Sequence, residues 1–155
     1  MKRIGVISDS HGDEGHVQQA LMKLEAGGHI DTLIHCGDGA LDAERYSCSI
    51  LQTLSVKGNC DFWTGGLEDE RLLSIGGVRF FITHGHRYGV KNGLDMIADC
   101  GAAKSAQIIC FGHTHQPLIE SRGGVLLINP GACHSTGRCA LITIDDKMRF
   151  DAQLL

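Results

Sequence analysis

A chain of 155 residues with 43% apolar side chains is the size of one domain and carries ample material for a packed core. Its net charge of −4 argues against a general nucleic-acid binder, whose affinity comes from Lys and Arg on phosphates, although it leaves small phosphate substrates open. No apolar run approaches the length of a membrane span, and only a short apolar strand follows the two basic residues near the start, so neither a membrane segment nor a secretory signal is expected.

The first predicted element is a buried strand over 3–8, followed by Asp9-Ser10-His11-Gly12. A helix follows over roughly 14–27, because Val17, Ala20, Leu21 and Leu24 recur at i, i+3, i+4 and i+7. Asp13 is placed to cap its start and Gly27-Gly28 to end it. A second strand over 31–36 runs into Gly37-Asp38-Gly39, a weaker helix is expected over about 40–51, and a third strand over 53–57 runs into Gly58-Asn59-Cys60-Asp61. This βαβαβ opening implies a parallel sheet with right-handed crossovers.

Beyond it, Arg71 to Ile75 and Val78 to Thr83 flank Gly76-Gly77, a two-residue hairpin signal, and the second run leads into His84-Gly85-His86. A helix is expected over about 90–100, with Val90, Leu94, Ile97 and Ala98 on one face. A strand over 107–111 leads into Gly112-His113-Thr114-His115. Short strands at 117–121, 125–129, 139–145 and 148–154 complete the chain, turning at Gly123-Gly124 and Asp146-Lys147. The order fits two mixed β-sheets packed face to face with helices outside, an α/β architecture in a single domain over 1–155.

The seven cysteines are odd in number and lack any Cys-x-x-Cys spacing, so neither a disulfide framework nor structural zinc is expected. They read as free thiols in a reducing cytoplasm.

Five strands end in short Gly-rich turns that carry Asp, His or Asn. Loops at the carboxyl ends of strands in one sheet lie close together, which is where open α/β sheets bind ligands. Singly, each residue is ordinary turn chemistry. Together they offer two carboxylates, an amide oxygen and several imidazoles, more donors than one metal needs, and His-x-His at a strand mouth suits a transition metal better than a core.

In this order, Asp9-Ser10-His11, Gly37-Asp38, Gly58-Asn59-Cys60-Asp61, His84 and Gly112-His113-Thr114-His115 resemble the motif blocks of the calcineurin-like metallophosphoesterases, and among them the small YfcE-type phosphodiesterases. The resemblance spans residues 9–115 and extends in kind to Asn129-Pro130-Gly131. It implies a four-layer αββα sandwich and hydrolysis of small phosphate diesters by in-line attack of a metal-bridging hydroxide. It implies two divalent ions, with Mn favoured and Ni, Co, Fe or Zn also suited to the donors. One ion would take Asp9, His11, His115 and the bridging Asp38; the other would take Asp38, Asn59, His84 and His113. Cys60 stands where many members have a His that assists the phosphate or the leaving group, so its role is expected to be minor and activated or diester substrates are favoured.

The expected partner is therefore a small phosphate ester, with no membrane and no nucleic acid; a homo-oligomer is compatible with the sequence. Two other readings compete with it: a protein-binding scaffold resembling the small subunit of retromer, which would not need all seven ligands, and a nuclease, for which no basic groove is evident. Asp61 either bonds a ligating His or caps a turn. His86 either touches substrate or is solvated. Arg87 and Arg122 are expected to be exposed, His35 packed, and Asn129-Pro130-Gly131 a rigid turn near the site. His16, His29 and His134 receive no role.

Overall fold

The computed structural model describes residues 1–46, 50 and 52–155. Strand β1 (Lys2–Ile7) pairs in parallel with β2 (Thr32–His35), which pairs in parallel with β3 (Gln52–Ser55). Helix α1 (Glu14–Glu25) and the short α2 (Asp42–Tyr46) make the crossovers. Residues 47–49 and 51 of the helix expected over 40–51 lie outside the described residues.

The second sheet opens with a hairpin, β4 (Glu70–Ile75) and β5 (Val78–Thr83). Gly76 and Gly77 turn it with φ of 58° and 83°, the left-handed pair that a two-residue loop requires. A 3-10 turn (His86–Tyr88), helix α3 (Asp95–Ala103) and β6 (Ile108–Cys110) follow. Strands β7 (Leu118–Arg122) and β8 (Val125–Asn129) complete that sheet, while β9 (Ala140–Ile144) and β10 (Phe150–Leu154) return to the first. The strand orders are β10-β9-β1-β2-β3 and β4-β5-β6-β8-β7, each mixing parallel and antiparallel pairs.

Two-residue periodicity builds the layers. Ile4 and Val6 of β1 face Phe80 and Ile82 of β5 in the core between the sheets, with Ile34, Leu54, Ile108 and Ile128. The alternate residues turn outward: Ile7 and Leu33 pack on Val17, Ala20, Leu21 and Leu24 of α1, the four positions expected from its pattern. Phe81 and Ile109 pack on Ile97 and Ala98 of α3. The result is the expected αββα sandwich.

Several boundaries differ from expectation by a residue or two, and the start of α3 differs by five. The helix expected over 90–100 begins at Asp95, because Gly93, with φ of 149°, interrupts the backbone just before it. Val90 and Leu94 still pack on Ile97 and Ala98, so the apolar face exists without a helix at its start. Asp13 caps α1 as expected, accepting from the His16 N–H at 3.2 Å. The six described cysteines are free, and Cys48 lies outside the described residues. Among the described residues no helix is long and apolar enough to cross a membrane.

Candidate metal centre

Strands β1, β2, β3, β5 and β6 deliver their following loops to one end of the sandwich. Five of the seven residues singled out from the sequence adopt left-handed backbone angles there: Asp9 (53°), His11 (46°), Asp38 (58°), His113 (68°) and His115 (58°). Such angles are uncommon for residues with a Cβ, and their concentration on one cluster marks backbone shaped for a site rather than for folding.

The side chains form three interlocking groups whose donor atoms lie within 4.8 Å of one another: Asp9, His11 and His115; His11, Asp38 and Cys60; and Asp9, Asp38 and His84. His115 Nε2 is 3.1 Å from Asp9 Oδ1, and His11 Nε2 is 4.0 Å from Asp38 Oδ2. His113 belongs to none of the three, yet its ring centroid lies 5.1 Å from that of His84, and its N–H donates to Asp9 Oδ2 at 3.1 Å. Asn59 is exposed beside Cys60, with Nδ2 3.5 Å from the Cys60 sulfur. The thiol thus reaches the edge of the cluster, where the sequence suggested no Cys ligand.

His84 tests whether these residues suit a metal. It is fully buried; Nδ1 is 2.7 Å from the Cys36 carbonyl, so this nitrogen carries the hydrogen and donates. Nε2 lies 3.3 Å from Asp38 Oδ2 and 3.9 Å from Asp9 Oδ1, but its geometry makes no hydrogen bond. An unpartnered buried imidazole nitrogen aimed between two carboxylates fits a cation, and a ring anchored through its other nitrogen is the usual way a ligating His is oriented.

The electrostatics agree. Burial alone would raise the Asp38 carboxyl, but His84 and the Cys60 N–H outweigh it and hold Asp38 well below the usual carboxylate range. Burial lowers His84, yet Asp38 and Asp9 together leave it above the ordinary imidazole value. Cys60 is pushed up by desolvation and by Asp38, so its thiol stays neutral near physiological pH. His113 is lowered by burial and by the nearby His84 and Lys91.

A supporting layer fixes the loops. Asp61 accepts from the backbone N–H groups of Asp38 (2.7 Å), Gly39 (2.9 Å), Ala40 (3.4 Å) and Gly58 (2.8 Å), so it ties two ligand loops together and caps them rather than orienting a His. Asn129 donates to the Gly112 carbonyl and to Thr114 Oγ1, both at 3.0 Å, and braces the His113–His115 loop. Gly112 is required there, since a Cβ would lie 2.0 Å from Ser8 Oγ.

Several partners of the cluster are not legible in the sequence. Ser8 donates to Asp9 Oδ2 at 2.6 Å. The packed His35 accepts from the Gly37 N–H at 3.0 Å through Nδ1, which leaves its hydrogen on Nε2 for Ser10 Oγ at 2.7 Å; Ser10 in turn donates to Asp42 Oδ2 at 2.6 Å. Burial lowers His35 to about 4 and keeps it neutral for this role. His134 lies with its ring 6.0 Å from that of His11, and its Nδ1 is 3.3 Å from Asp13. Apart from the Ser8–Asp9 pair, no short-range pattern announces these contacts. His86 is half-buried, 5.5 Å from the His84 ring, with Nδ1 unpartnered, rather than freely solvated. Arg87 pairs with Asp69, and Arg122 pairs with Glu120 and Asp95.

The sandwich with this cluster at its strand ends defines a metallophosphoesterase fold. The chain belongs to the calcineurin-like phosphoesterase superfamily, whose domain model matches residues 1–147. It is 40% identical over 127 residues to the probable metallophosphoesterase YsnB of Bacillus subtilis, covering 82% of this chain and 72% of that one. It is 30% identical over 149 residues to the phosphodiesterase MJ0936 of Methanocaldococcus jannaschii, covering 84% of each. The solved structure of wild-type Vps29 from Entamoeba histolytica, complexed with Zn2+, superposes with a TM-score of 0.76 over 99% of this chain and 98% of that one; at 20% identity this likeness shows the fold alone.

Proposed function

We propose that this chain is a phosphodiesterase that holds two divalent ions on Asp9, His11, Asp38, Asn59, His84, His113 and His115 and hydrolyses small phosphate diesters. On this reading residues 1–155 act as one domain in the cytoplasm, with Mn2+ the first metal to test. The observation that carries it is the buried His84 Nε2, unpartnered and aimed between Asp38 and Asp9. Bound divalent ions supply Lewis acidity and acidify water enough for attack on phosphorus near neutral pH.

The protein's part is to hold the donors ready. Asp38, kept ionised, sits between His11 and His84 and is the carboxylate suited to serve both ions. Cys36 fixes the His84 ring, Asp61 fixes the backbone around Asp38, and Asn129 fixes the loop carrying His113 and His115. Preorganised groups of this kind need not move as charge develops on the phosphoryl oxygens. A neutral Cys60 offers no cation to a dianionic monoester, which favours diesters and good leaving groups.

The scaffold alternative draws support from the Vps29 likeness only in fold, and retention of all seven candidate ligands favours the enzyme. The acidic balance speaks against a nuclease. Hydrolysis of bis(4-nitrophenyl) phosphate tests the reading: turnover should require Mn2+ or another divalent ion, stop with chelator, and be abolished in Asp38→Ala. Wild-type turnover by that variant with Mn2+ added would overturn it.

A further inference from the structure

Beside the candidate metal centre lies a cleft of about 490 Å³. Its apolar walls include Val90, Leu94, Phe111 and Leu118, and Lys91 and Thr114 add polar groups. The cleft shares a wall with the candidate ligand loop: Thr114 stands between His113 and His115, and Asn129 holds its hydroxyl at 3.0 Å. Lys91 is exposed and makes no ion pair among the described residues. The volume falls in the range of small-molecule sites, about 300–1,000 Å³, and the mixture of apolar walls with a few polar groups is the usual composition of one.

Resting on the phosphodiesterase reading above, we propose that this cleft is the subsite for an ester group of the substrate and takes an aromatic ring, making aryl and similarly ring-bearing phosphodiesters the preferred class. A methyl or glyceryl ester would leave most of the space unfilled and the half-exposed side chains of Leu94 and Leu118 in contact with water. A ring displaces that water, and the phosphate stays on the side of Lys91 and the imidazoles. Thr114 belongs both to the cleft wall and to the His113–His115 loop, and on this proposal one molecule reaches from one to the other.

Two measurements test this. In chelator-treated protein, diphenyl phosphate should shift the NMR methyl signals of Val90, Leu94 and Leu118 saturably, while dimethyl phosphate at equal concentration should not. This arm needs neither metal nor turnover. In metal-loaded protein, diphenyl phosphate should compete with bis(4-nitrophenyl) phosphate at least about tenfold more tightly than dimethyl phosphate, as expected for burial of a ring. Leu94→Asp should bring that ratio close to one, and Leu94→Met, which conserves volume, should keep it. Absent methyl shifts, shifts confined elsewhere, or an intact ratio in Leu94→Asp would overturn the subsite and leave the phosphodiesterase reading standing. Absence of any diester hydrolysis would instead overturn that reading, and the methyl shifts would still decide whether the cleft binds a ring.

Discussion

His84 and Asp38 face each other across 3.3 Å without a hydrogen bond, while the other ring nitrogen of His84 donates to the Cys36 carbonyl on the far side. Two carboxylates around an unpartnered buried imidazole nitrogen are unfavourable unless positive charge stands near, and Asp9 at 3.9 Å from that nitrogen is the second of them. Divalent ions should therefore stabilise the fold by mass action, by about 2.7 kcal/mol at a free concentration one hundred times Kd. A titration from chelator to excess Mn2+ should raise the melting temperature progressively. An unchanged melting curve across that range would contradict the site.

Cys60 should be kinetically minor. Its thiol is neutral, and a good leaving group needs no proton. Cys60→Ala should change hydrolysis of bis(4-nitrophenyl) phosphate by less than about tenfold, well under the roughly 10²–10⁴ typical of a general acid. Cys60→His should help poor leaving groups more than good ones. A loss of several orders of magnitude in Cys60→Ala, with both metals retained, would show that the sulfur at the edge of the cluster takes part in the chemistry.

Asp61 should matter for stability as much as for activity. Removing its carboxylate strands four backbone N–H groups, and a buried donor left unpaired costs about 1–3 kcal/mol. Asp61→Ala should lose at least about 3 kcal/mol in urea denaturation, and Asp61→Asn, which keeps one acceptor oxygen, should lose less. An Ala variant within about 1 kcal/mol of wild type would show that the two loops hold their shape by other means.

Asp13 gives the pH dependence a sign. The Ser135 N–H, with His16, lowers its carboxyl from 3.8 to about 2. A depressed carboxyl stabilises the fold above its unfolded pKa and loses that contribution as pH falls through the folded value. Asp13→Ala should therefore melt below wild type at neutral pH, and the gap should close between about pH 4 and about pH 2. A gap that persists at the acid end would mean that the charge is not what stabilises the start of α1.

Most of this architecture is written in local patterns. Alternation in β1 separates Ile4 and Val6 from Ile7, and helical spacing in α1 gathers Val17, Ala20, Leu21 and Leu24, so layers and faces are readable from the chain. The candidate ligands are readable because each follows a strand in a Gly-rich turn. The bracing around them is not, because it forms only when distant loops meet. Ser10 and Asp42 are 32 residues apart, Asp9 and His115 are 106 apart, and His134 reaches His11 from the far end of the chain. Asp61 illustrates the limit: its position after Gly-Asn-Cys is visible, but whether it serves a His or the backbone depends on how two loops close. The start of α3 is not legible because the apolar face continues through Val90 and Leu94 while Gly93 stops the helix.

The metal content of the native protein tests the central claim most directly. Native mass spectrometry of the chain titrated with Mn2+ should show two ions per chain, and Asp38→Ala, which removes the carboxylate between His11 and His84, should not hold the pair. A wild-type chain that binds no ion under these conditions, or an Asp38→Ala chain that binds two as tightly as wild type, would contradict a dinuclear centre built on these residues.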